Sequence, residues 1–480
     1  MTGRGDLLPT EGKKNRRRAP LALQAAAVLV TALAVIVSGP AASVSAAPRE
    51  ETKTKVPAAV KVKAPVPAPY TPTAGLLFNN PRGSHDSKYA IIKKLNAAIK
   101  ATPRGGTIRF AQYLFDIDSP GDNLIDAFRR GVNVKILTDN GEKSHIMKKL
   151  KKVLNKDRTD GSYVDTCRHS CFSTRTSVMH AKFYTFSTSG NADRVSLISS
   201  ANPYTGNTYK SWNDLQTIVG DETIYNSLVQ YFDDMRLDVV RKNYYRTTTS
   251  GKNTLYFFPK ADGKLPQLAA LNAVKCTGAT GGTGTNGKTK IRVAMWGWTR
   301  ERTDIATRLR QLFAEGCDIK IYLNKPRVSP KVYAILLKRS AKYGKMKIYD
   351  TWYDRNHNGA AELYMHLKAV TINGNYAGDS SSKLVFTGSQ NFSGTGSYFN
   401  AELAMRVFDG AQVDRYNQRL DYVRAHYSKG RITSVPPPSY YGTKSLKAAE
   451  AGVEKALQDE GLQKALQNYN PDSGDAETDR

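Results

Sequence analysis

Two stretches decide the fold of this chain: MHAKFY at Met179–Tyr184 and MHLKAV at Met365–Val370, each an apolar run that carries a His-x-Lys triplet. A second apolar run with a Ser-x-Asn group follows each of them, LISSAN at Leu197–Asn202 and VFTGSQN at Val385–Asn391. From His to Asn the distance is 22 residues in the first copy and 25 in the second. This repetition predicts that one structural unit occurs twice in the chain.

An acidic residue follows each Ser-x-Asn group. Asp214 lies 12 residues after Asn202, and Glu402 lies 11 residues after Asn391. The same ordered set of His, Lys, Ser, Asn and acid therefore occurs twice, which is much harder to obtain by accident than a single His-x-Lys triplet on a strand.

Further segments repeat in the same order: residues 76–81 with 255–259, 108–115 with 291–298, and 129–137 with 314–322. In the last pair a glycine, Gly131 or Gly316, follows a helical pattern at the position of a C-cap. Short β-rich runs alternate with amphipathic helices in both copies. We therefore predict an α/β fold made of two duplicated lobes, each a sheet covered by helices.

The N-terminus has the pattern of a secretory signal peptide. Five Lys and Arg residues within 13–18 precede an apolar run over 21–37, and small residues follow as far as Ala47. We expect cleavage near Ala46 or Ala47 and a secreted, extracellular protein. An uncleaved membrane anchor is the alternative, because the apolar run approaches the length of a membrane span.

The predicted organisation has five parts: a signal peptide at 1–47, a disordered Pro/Lys/Ala linker at 48–73, an N-terminal lobe at 74–250, a C-terminal lobe at 251–430, and a C-terminal helix with a mobile tail at 431–480. The 480 residues are too many for one compact core and suit two domains of ordinary size.

The chain is strongly basic. It holds 71 Lys and Arg against 42 Asp and Glu, a net charge of +29, and +25 remains without residues 1–47, which hold six bases and two acids. Such a field favours polyanions, whether nucleic acid, an anionic lipid surface or a cell-wall polymer. A basic surface kept for solubility is the plain alternative.

Four cysteines are too few for a disulfide scaffold in so long a chain. Export makes disulfides ordinary, and we expect the pairs Cys167–Cys171 and Cys276–Cys317. The segment 167–171 also offers metal ligands, but no second ligand pair follows at zinc-site spacing.

The repeated set suits phosphate chemistry. Residues i and i+2 of a strand point to the same face, so His180 and Lys182 address one site. Lys182, Lys368, Asn202 and Asn391, together with the hydroxyls of Ser200 and Ser389, bring positive charge and donors to phosphate oxygens. Asp214 and Glu402 are each placed to accept from Nδ1–H of the nearby His and so fix its tautomer.

Two such sets brought together predict a covalent mechanism. One imidazole attacks phosphorus while the other, protonated, gives its proton to the leaving alkoxide, and water then hydrolyses the phosphohistidine. No metal and no other cofactor is required, because Lys and Asn supply the charge stabilisation.

The duplicated H-x-K and G-S-x-N pattern resembles the phospholipase D superfamily over residues 76–428. The resemblance implies a pseudo-symmetric bilobal α/β fold with one active site between the lobes. It also implies that His180 is the nucleophile and His366 the general acid/base.

Three positions depart from the family pattern. Ser199 stands where the family has Gly, and Ser187 and Asn373 stand where it has an Asp five residues after the Lys. Since that Asp is mainly a structural support in the family, its loss affects rigidity or rate more than the reaction itself.

The expected function is that of a secreted, monomeric phosphodiesterase that hydrolyses phospholipid headgroup esters, with transfer to another alcohol also open. A metal-independent nuclease is the runner-up, because the same chemistry cuts nucleic-acid diesters, and an inactive polyanion-binding protein is the third hypothesis. The expected partners are accordingly a phospholipid or another anionic diester, nucleic acid, and a membrane surface touched peripherally.

Aromatic residues end one predicted strand in each copy. Trp296 and Trp298 mirror Tyr113 and Phe115, and each pair suits either the core or the lining of the substrate cleft.

Overall fold

The computed structural model describes residues 70–436, except residues 157, 160 and 174–176. The predicted signal peptide, most of the predicted linker and nearly all of the predicted C-terminal segment lie outside these residues. Within the described ranges, no helix has the length and apolar character needed to cross a membrane.

The first half of the chain builds a seven-stranded mixed sheet. The strands of this half are, in chain order, β1 (Gly75–Phe78), β2 (Thr107–Gln112), β3 (Asn133–Asp139), β4 (Tyr163–Cys167), β5 (Phe183–Ser189), β6 (Ala192–Ser199), β7 (Ser211–Trp212) and β8 (Asp214–Ile218). The spatial order is β1-β8-β6-β5-β2-β3-β4, with β2, β3 and β4 parallel, and β7 lies outside this sheet.

The second half builds an eight-stranded sheet. The remaining strands are β9 (Arg246–Ser250), β10 (Asn253–Phe257), β11 (Lys290–Met295), β12 (Asp318–Leu323), β13 (Lys347–Asp350), β14 (Tyr364–Met365), β15 (Lys368–Tyr376), β16 (Asp379–Gly388) and β17 (Leu403–Phe408). The spatial order is β13-β12-β11-β15-β16-β17-β10-β9. Apart from the added β9, it matches the first sheet strand for strand, and the predicted duplicated α/β fold is confirmed.

The first half contributes the helices α1 (His85–Lys88), α2 (Ala90–Lys100), α3 (Asp118–Arg129), α4 (His145–Leu154), α5 (Thr205–Tyr209) and α6 (Glu222–Arg236). The second half contributes α7 (Pro266–Asn272), α8 (Thr303–Glu315), α9 (Pro330–Leu336), α10 (Gly394–Tyr398) and α11 (Gly410–Tyr427). Gly316 caps α8 at φ 108°, and Gly131 follows α3 at φ 85°, a region that favours glycine.

The second sheet starts earlier than the sequence division at residue 250. β9 and β10 form an antiparallel hairpin, in which Ser250 faces Asn253, and β10 pairs with β17. Since the hairpin register joins both strands to one sheet, the second sheet begins at Arg246.

Three apolar clusters hold the layers together. One lies under α2–α4 of the first half and another under α7–α9 of the second. The third combines buried residues of both halves, among them Phe183 and Trp212 from the first and Met365, Met405 and Tyr416 from the second. This shared cluster joins the two halves through apolar burial.

Short backbone pairings also connect the halves. β7 pairs in parallel with β14, and Met179 pairs with Ala401. Both expected disulfides, Cys167–Cys171 and Cys276–Cys317, are confirmed.

Candidate active site

The two His-x-Lys segments lie where the chain changes partners. The first triplet ends just before β5, and the second lies between β14 and β15 with Lys368 as the first residue of β15, so neither histidine lies inside a strand as the sequence suggested. The backbone N–H of His180 donates to the carbonyl of Ala401 at 2.9 Å, and that of His366 donates to the carbonyl of Trp212 at 3.1 Å. Two residues later the carbonyl of Lys182 accepts from Ser199 of its own sheet. The first segment is therefore hydrogen-bonded to the opposite half at His180 and to its own half at Lys182.

His180 is held by a carboxylate from the opposite half. Its Nδ1 lies 2.9 Å from Oε2 of Glu402, and the hydroxyl of Ser389 donates to the same oxygen at 2.5 Å. Glu402 and Ser389 are fully buried. With Nδ1 engaged, Nε2 is the nitrogen of His180 that is left to meet a substrate.

His366 is held by an amide. Its Nδ1 lies 2.8 Å from Oδ1 of Asn213, and the hydroxyl of Ser200 lies 3.5 Å from that oxygen. Asn213 occupies the place of Glu402, since Ala401 and Trp212, which precede them, accept the equivalent histidine N–H bonds. The two histidines thus have equivalent geometry and chemically different partners.

Asp214 does not have the expected role, and this corrects the sequence prediction. Its carboxylate accepts from the backbone N–H of Ser200 and from the hydroxyls of Thr387 and Tyr416, so it binds the first half to β16 and α11 of the second. Asn213 lies 11 residues after Asn202, the same spacing as Glu402 after Asn391. That equal spacing was the sequence signal for Asn213, whereas the usual acidic partner of a histidine favoured Asp214.

Lys182 and Lys368 lie buried beside the histidines. The ammonium of Lys182 donates to the carbonyl of His180, and that of Lys368 donates to the carbonyl of His366 at 2.7 Å. Burial lowers the pKa of Lys182 to about 7, against the opposing charges of Glu402 and Asp139. Burial and the charge of Lys182 hold the pKa of Lys368 well below its usual range. Such a pair of desolvated cations favours a bound anion.

Both imidazoles have depressed pKa values, and His366 is buried while the side chain of His180 is 13% exposed. Burial, with the charges of Lys182 and Lys368, lowers the pKa of His180 to about 4, although Glu402 opposes this. Burial and the same lysines hold the pKa of His366 well below its ordinary value, and His180 contributes to that depression. The two imidazoles and the two amines therefore lie close enough to influence one another's pKa across the two halves.

The carboxylate of Glu402 stays ionised. Burial alone would raise its pKa, but the charges of His180 and Lys182 and the hydroxyl of Ser389 lower it. A neutral His180 on an ionised Glu402 carries its proton on Nδ1, which leaves a lone pair on Nε2.

The two asparagines of the Ser-x-Asn groups differ in their contacts. The amide of Asn202 accepts from the backbone N–H of Leu114 and donates to Asn207, so it supports the loop after β2. Oδ1 of Asn391 is buried without a hydrogen-bond partner among the described residues. Asn391 is therefore the better placed of the two to contact a ligand.

The departures from the family pattern are accommodated locally. Ser187 accepts from the backbone N–H of Thr107 at 2.8 Å and so holds the start of β2, and Asn373 accepts from that of Gly284 at 2.8 Å and so holds the loop before β11. Gly388 has φ 123°, and a Cβ there would lie 2.3 Å from the carbonyl oxygen of Leu403. Ser199, its counterpart in the first half, donates to the carbonyl of Asp214 instead.

One aromatic ring lies beside each histidine. The ring centroid of Tyr113 is 5.3 Å from that of His180, and the centroid of Trp296 is 5.2 Å from that of His366. Phe115 and Trp298 are fully buried in the core. The first aromatic residue of each pair therefore lines the site, and the second packs inside the lobe.

Within the described ranges, no group of three or more His, Cys, Asp or Glu side chains is arranged to hold a metal ion. The functional groups at the site are the two imidazoles, the two ammonium groups and their hydrogen-bonding partners. Together they define a composite site in which each half supplies one His-x-Lys segment and the partner of the other half's histidine.

This duplicated α/β fold with a shared His/Lys site defines a class of phosphodiester-acting proteins. Residues 92–236 and 285–424 match the family described as cardiolipin synthase, PLD-like domain. The chain belongs to this family, and hence to the phospholipase D superfamily.

Solved structures with a similar fold include phosphatidylserine synthase from Haemophilus influenzae Rd KW20, with a TM-score of 0.47 and 13% identity over 82% of this chain and 94% of that one. Polyphosphate kinase from Porphyromonas gingivalis has a TM-score of 0.48 and 12% identity over 82% of this chain. The match spans 56% of the kinase. No curated protein sequence matches the chain.

Proposed function

We propose that this protein is a phosphodiesterase that cleaves the headgroup ester of phospholipids through a phosphohistidine intermediate. The observation that carries the proposal is the pair of histidines, each fixed through Nδ1 by the opposite half, with two buried lysines beside them. Membership of the phospholipase D superfamily supports a reaction at a phosphodiester.

The chemistry follows from the two partners. Nε2 of neutral His180 attacks phosphorus and forms an N–P bond while the P–O bond to the leaving alcohol breaks. Glu402 stabilises the positive charge that develops on the ring. Binding of the anionic phosphodiester favours the protonated form of His366, which then gives its Nε2 proton to the leaving alkoxide.

The second half-reaction releases the product. His366, now neutral, takes a proton from water as the water oxygen attacks phosphorus, and the N–P bond breaks. An alcohol in place of water gives transfer instead of hydrolysis. Lys182 and Lys368 stabilise the phosphoryl oxygens throughout, so we expect activity to survive a chelator such as EDTA.

Mutation of the histidines tests the mechanism. We expect His180→Ala and His366→Ala each to lower kcat by at least about 1000-fold on a soluble diester, because each removes a reacting group. Rapid acid-free quenching and mass spectrometry should detect a phosphoryl group on His180. Unchanged rates in both variants, with a folded protein by circular dichroism, would refute the proposal.

A lipid surface is favoured by a short apolar segment, here called the apolar loop, at Leu237–Val240. Leu237, Val239 and Val240 are 60%, 53% and 47% exposed, an unusual run of apolar exposure after α6. Arg236 precedes this segment, and Arg241 and Lys242 follow it.

The apolar loop lies at the edge of the first sheet that carries the site. Asp238 pairs with Arg168 at 2.9 Å, directly after β4. At that edge Cys167 faces Asp139, whose carboxylate accepts from the backbone N–H of Met179, next to His180. Apolar side chains with basic neighbours at this position suit insertion into an anionic bilayer.

Vesicle binding separates a lipid enzyme from a nuclease. We expect the protein to cosediment with vesicles of 70% phosphatidylcholine and 30% phosphatidylglycerol, and the double variant Leu237→Ser, Val240→Ser to bind at least about tenfold more weakly. Val435→Ser, at an exposed position in the segment after α11, is the control. Faster cleavage of plasmid DNA than of dispersed phospholipid would favour the nuclease instead. The net charge of +29 is also compatible with a nucleic-acid substrate.

We further propose export through the N-terminal segment 1–47. The two disulfides agree with an oxidising compartment. Mass spectrometry of protein from culture medium should find a mature N-terminus near residue 48, and a full-length chain retained on cells would contradict cleavage.

A further inference from the structure

The two sides of the site differ in charge at equivalent positions. Asp139, at the end of β3, accepts from the backbone N–H of Met179, and Asn324, after β12, accepts from that of Met365. Three residues further on, the first half has Glu142 and the second half has Arg327. The two segments align without a gap, because α4 begins three residues after Glu142 and α9 begins three residues after Arg327.

The side next to His180 is acidic. Asp139, Glu142 and Glu402 are all buried there. Burial raises the pKa of the Tyr113 hydroxyl, and the charges of Asp139 and Glu142 raise it further, so both carboxylates act on the ring beside His180. A cationic alcohol would suit this side, and a second anionic group would be repelled from it.

The side next to His366 is basic. The partner of His366 is the neutral Asn213, Asn324 replaces Asp139, and Arg327 replaces Glu142. The guanidinium of Arg327 lies 5.0 Å from the ring centroid of Trp296 and 5.3 Å from that of Trp352. Trp296 is the ring that contacts His366.

No ion pair joins Arg327 to a carboxylate among the described residues, and its Nε is buried without a hydrogen bond. Burial lowers the pKa of its guanidinium. A partly buried arginine that has no carboxylate partner among the described residues and is held against two indole rings is preorganised for an anion.

A cavity of about 730 Å³ adjoins this arginine. Its lining includes the cationic side chains of Lys325, Arg327, Lys429 and Arg431. The carboxylates in the lining are Asp350 and Asp354, and both accept backbone N–H groups. The positive charge of the lining therefore exceeds the negative charge, and the cavity is large enough for a polar group of substrate size.

In the proposed reaction the leaving alcohol lies beside His366, because this histidine gives it a proton. We propose that the cavity lined by Arg327 and Trp352, which both pack against Trp296 beside His366, binds the alcohol portion of a substrate in which that alcohol carries a second phosphate. This inference rests on the proposed function and specifies the substrate class of the same site. Such an alcohol occurs both in a phosphorylated lipid headgroup and in a nucleic-acid strand.

Three soluble dihexanoyl lipids with the same acyl chains test the charge preference. We expect kcat/KM to rise from phosphatidylcholine to phosphatidylglycerol to phosphatidylglycerol phosphate, with at least about a tenfold step at the last, because only its headgroup brings a phosphate to Arg327. The dinucleotide TpT, with and without a terminal phosphate, is the nucleic-acid arm. The substrate series, lipid or dinucleotide, in which the added phosphate raises kcat/KM more and turnover is faster identifies the class of substrate that the cavity binds.

Arg327→Gln is the decisive variant. We expect it to reduce kcat/KM for phosphatidylglycerol phosphate at least about tenfold more than for phosphatidylglycerol. Arg129→Gln, which removes one positive charge from the exposed surface of α3, is the matched control and should leave both values unchanged. An equal loss on all three lipids, or a preference for phosphatidylcholine, would overturn the inference.

A binding measurement separates this inference from the proposed function. Titration with glycerol 3-phosphate should quench tryptophan fluorescence saturably in the wild type and in His180→Ala, with at least about fivefold weaker binding in Arg327→Gln. Saturable binding without turnover of any substrate would refute the proposed function but support the cavity as an anion-binding site. Turnover with equal binding by wild type and Arg327→Gln would remove the cavity site alone.

Discussion

The two candidate catalytic histidines differ in the group that contacts Nδ1: the carboxylate of Glu402 for His180 and the side-chain amide of Asn213 for His366. A carboxylate stabilises the cationic ring that forms when nitrogen bonds to phosphorus, whereas an amide leaves the protonated ring more acidic. In the proposed mechanism this chemical difference makes His180 the nucleophile and His366 the proton donor.

The pH profile of Asn213→Asp checks that division. A carboxylate behind His366 raises its pKa, so the protonated donor persists to higher pH, and we expect the alkaline limb of kcat/KM to move up by roughly one unit or more. Glu402→Gln provides the contrast, because loss of its charge lowers the pKa of His180 further and moves the acid limb down while the rate falls. An alkaline limb that stays in place in Asn213→Asp would count against His366 as the donor.

At the scale of the elements, most of the fold was predictable because the repeat preserves hydrophobic pattern and length strand by strand. The pairing of each histidine with the opposite half was not predictable, because the two partners are more than 150 residues apart in sequence. The choice of Asp214 over Asn213 failed for a chemical reason: an amide accepts from Nδ1–H as well as a carboxylate does.

The end of β16 depends on one glycine. In Gly388→Ala a methyl group would meet the carbonyl of Leu403 at a backbone conformation with φ 123°, so Ser389 must shift away from Glu402. We expect a loss of stability of about 2–4 kcal/mol in urea unfolding and a large loss of activity. Gly378→Ala, at φ 90° with no atom nearby, is the control and should cost about 1–2 kcal/mol with near-normal activity.

The two disulfides close loops of unequal length. Cys276–Cys317 spans 41 residues and Cys167–Cys171 spans 4. Loop-closure entropy predicts that Cys276→Ser, Cys317→Ser costs about 4 kcal/mol and Cys167→Ser, Cys171→Ser about 2 kcal/mol. Urea unfolding of the two double variants measures the difference, and equal losses would show that chain entropy does not govern these bonds.

At the scale of the whole molecule, the halves share one apolar cluster and several buried polar contacts. Asp214 hydrogen-bonds Tyr416, and Gln216 donates to Gln412 at 2.8 Å. These contacts would be exposed to water if either half unfolded alone.

We therefore expect one cooperative unfolding transition for both halves. Far-ultraviolet circular dichroism and tryptophan fluorescence should give coincident urea midpoints. Asp214→Asn, which weakens the contact with Tyr416 and Thr387, should lower the midpoint and keep the transitions coincident. Two separated transitions in the wild type would show that the shared cluster does not couple the halves.

The exchange of carbonyl groups, Ala401 to His180 and Trp212 to His366, means that each repeat completes the other's reaction centre. In a dimer of identical chains, any substitution would appear on both sides of the twofold axis at once. Covalent fusion removes that constraint, so an amide could replace a carboxylate at one centre, and an arginine a glutamate, without loss of the original residue at the other. Duplication within one chain thereby lets the charge beside each histidine vary independently of the charge beside the other.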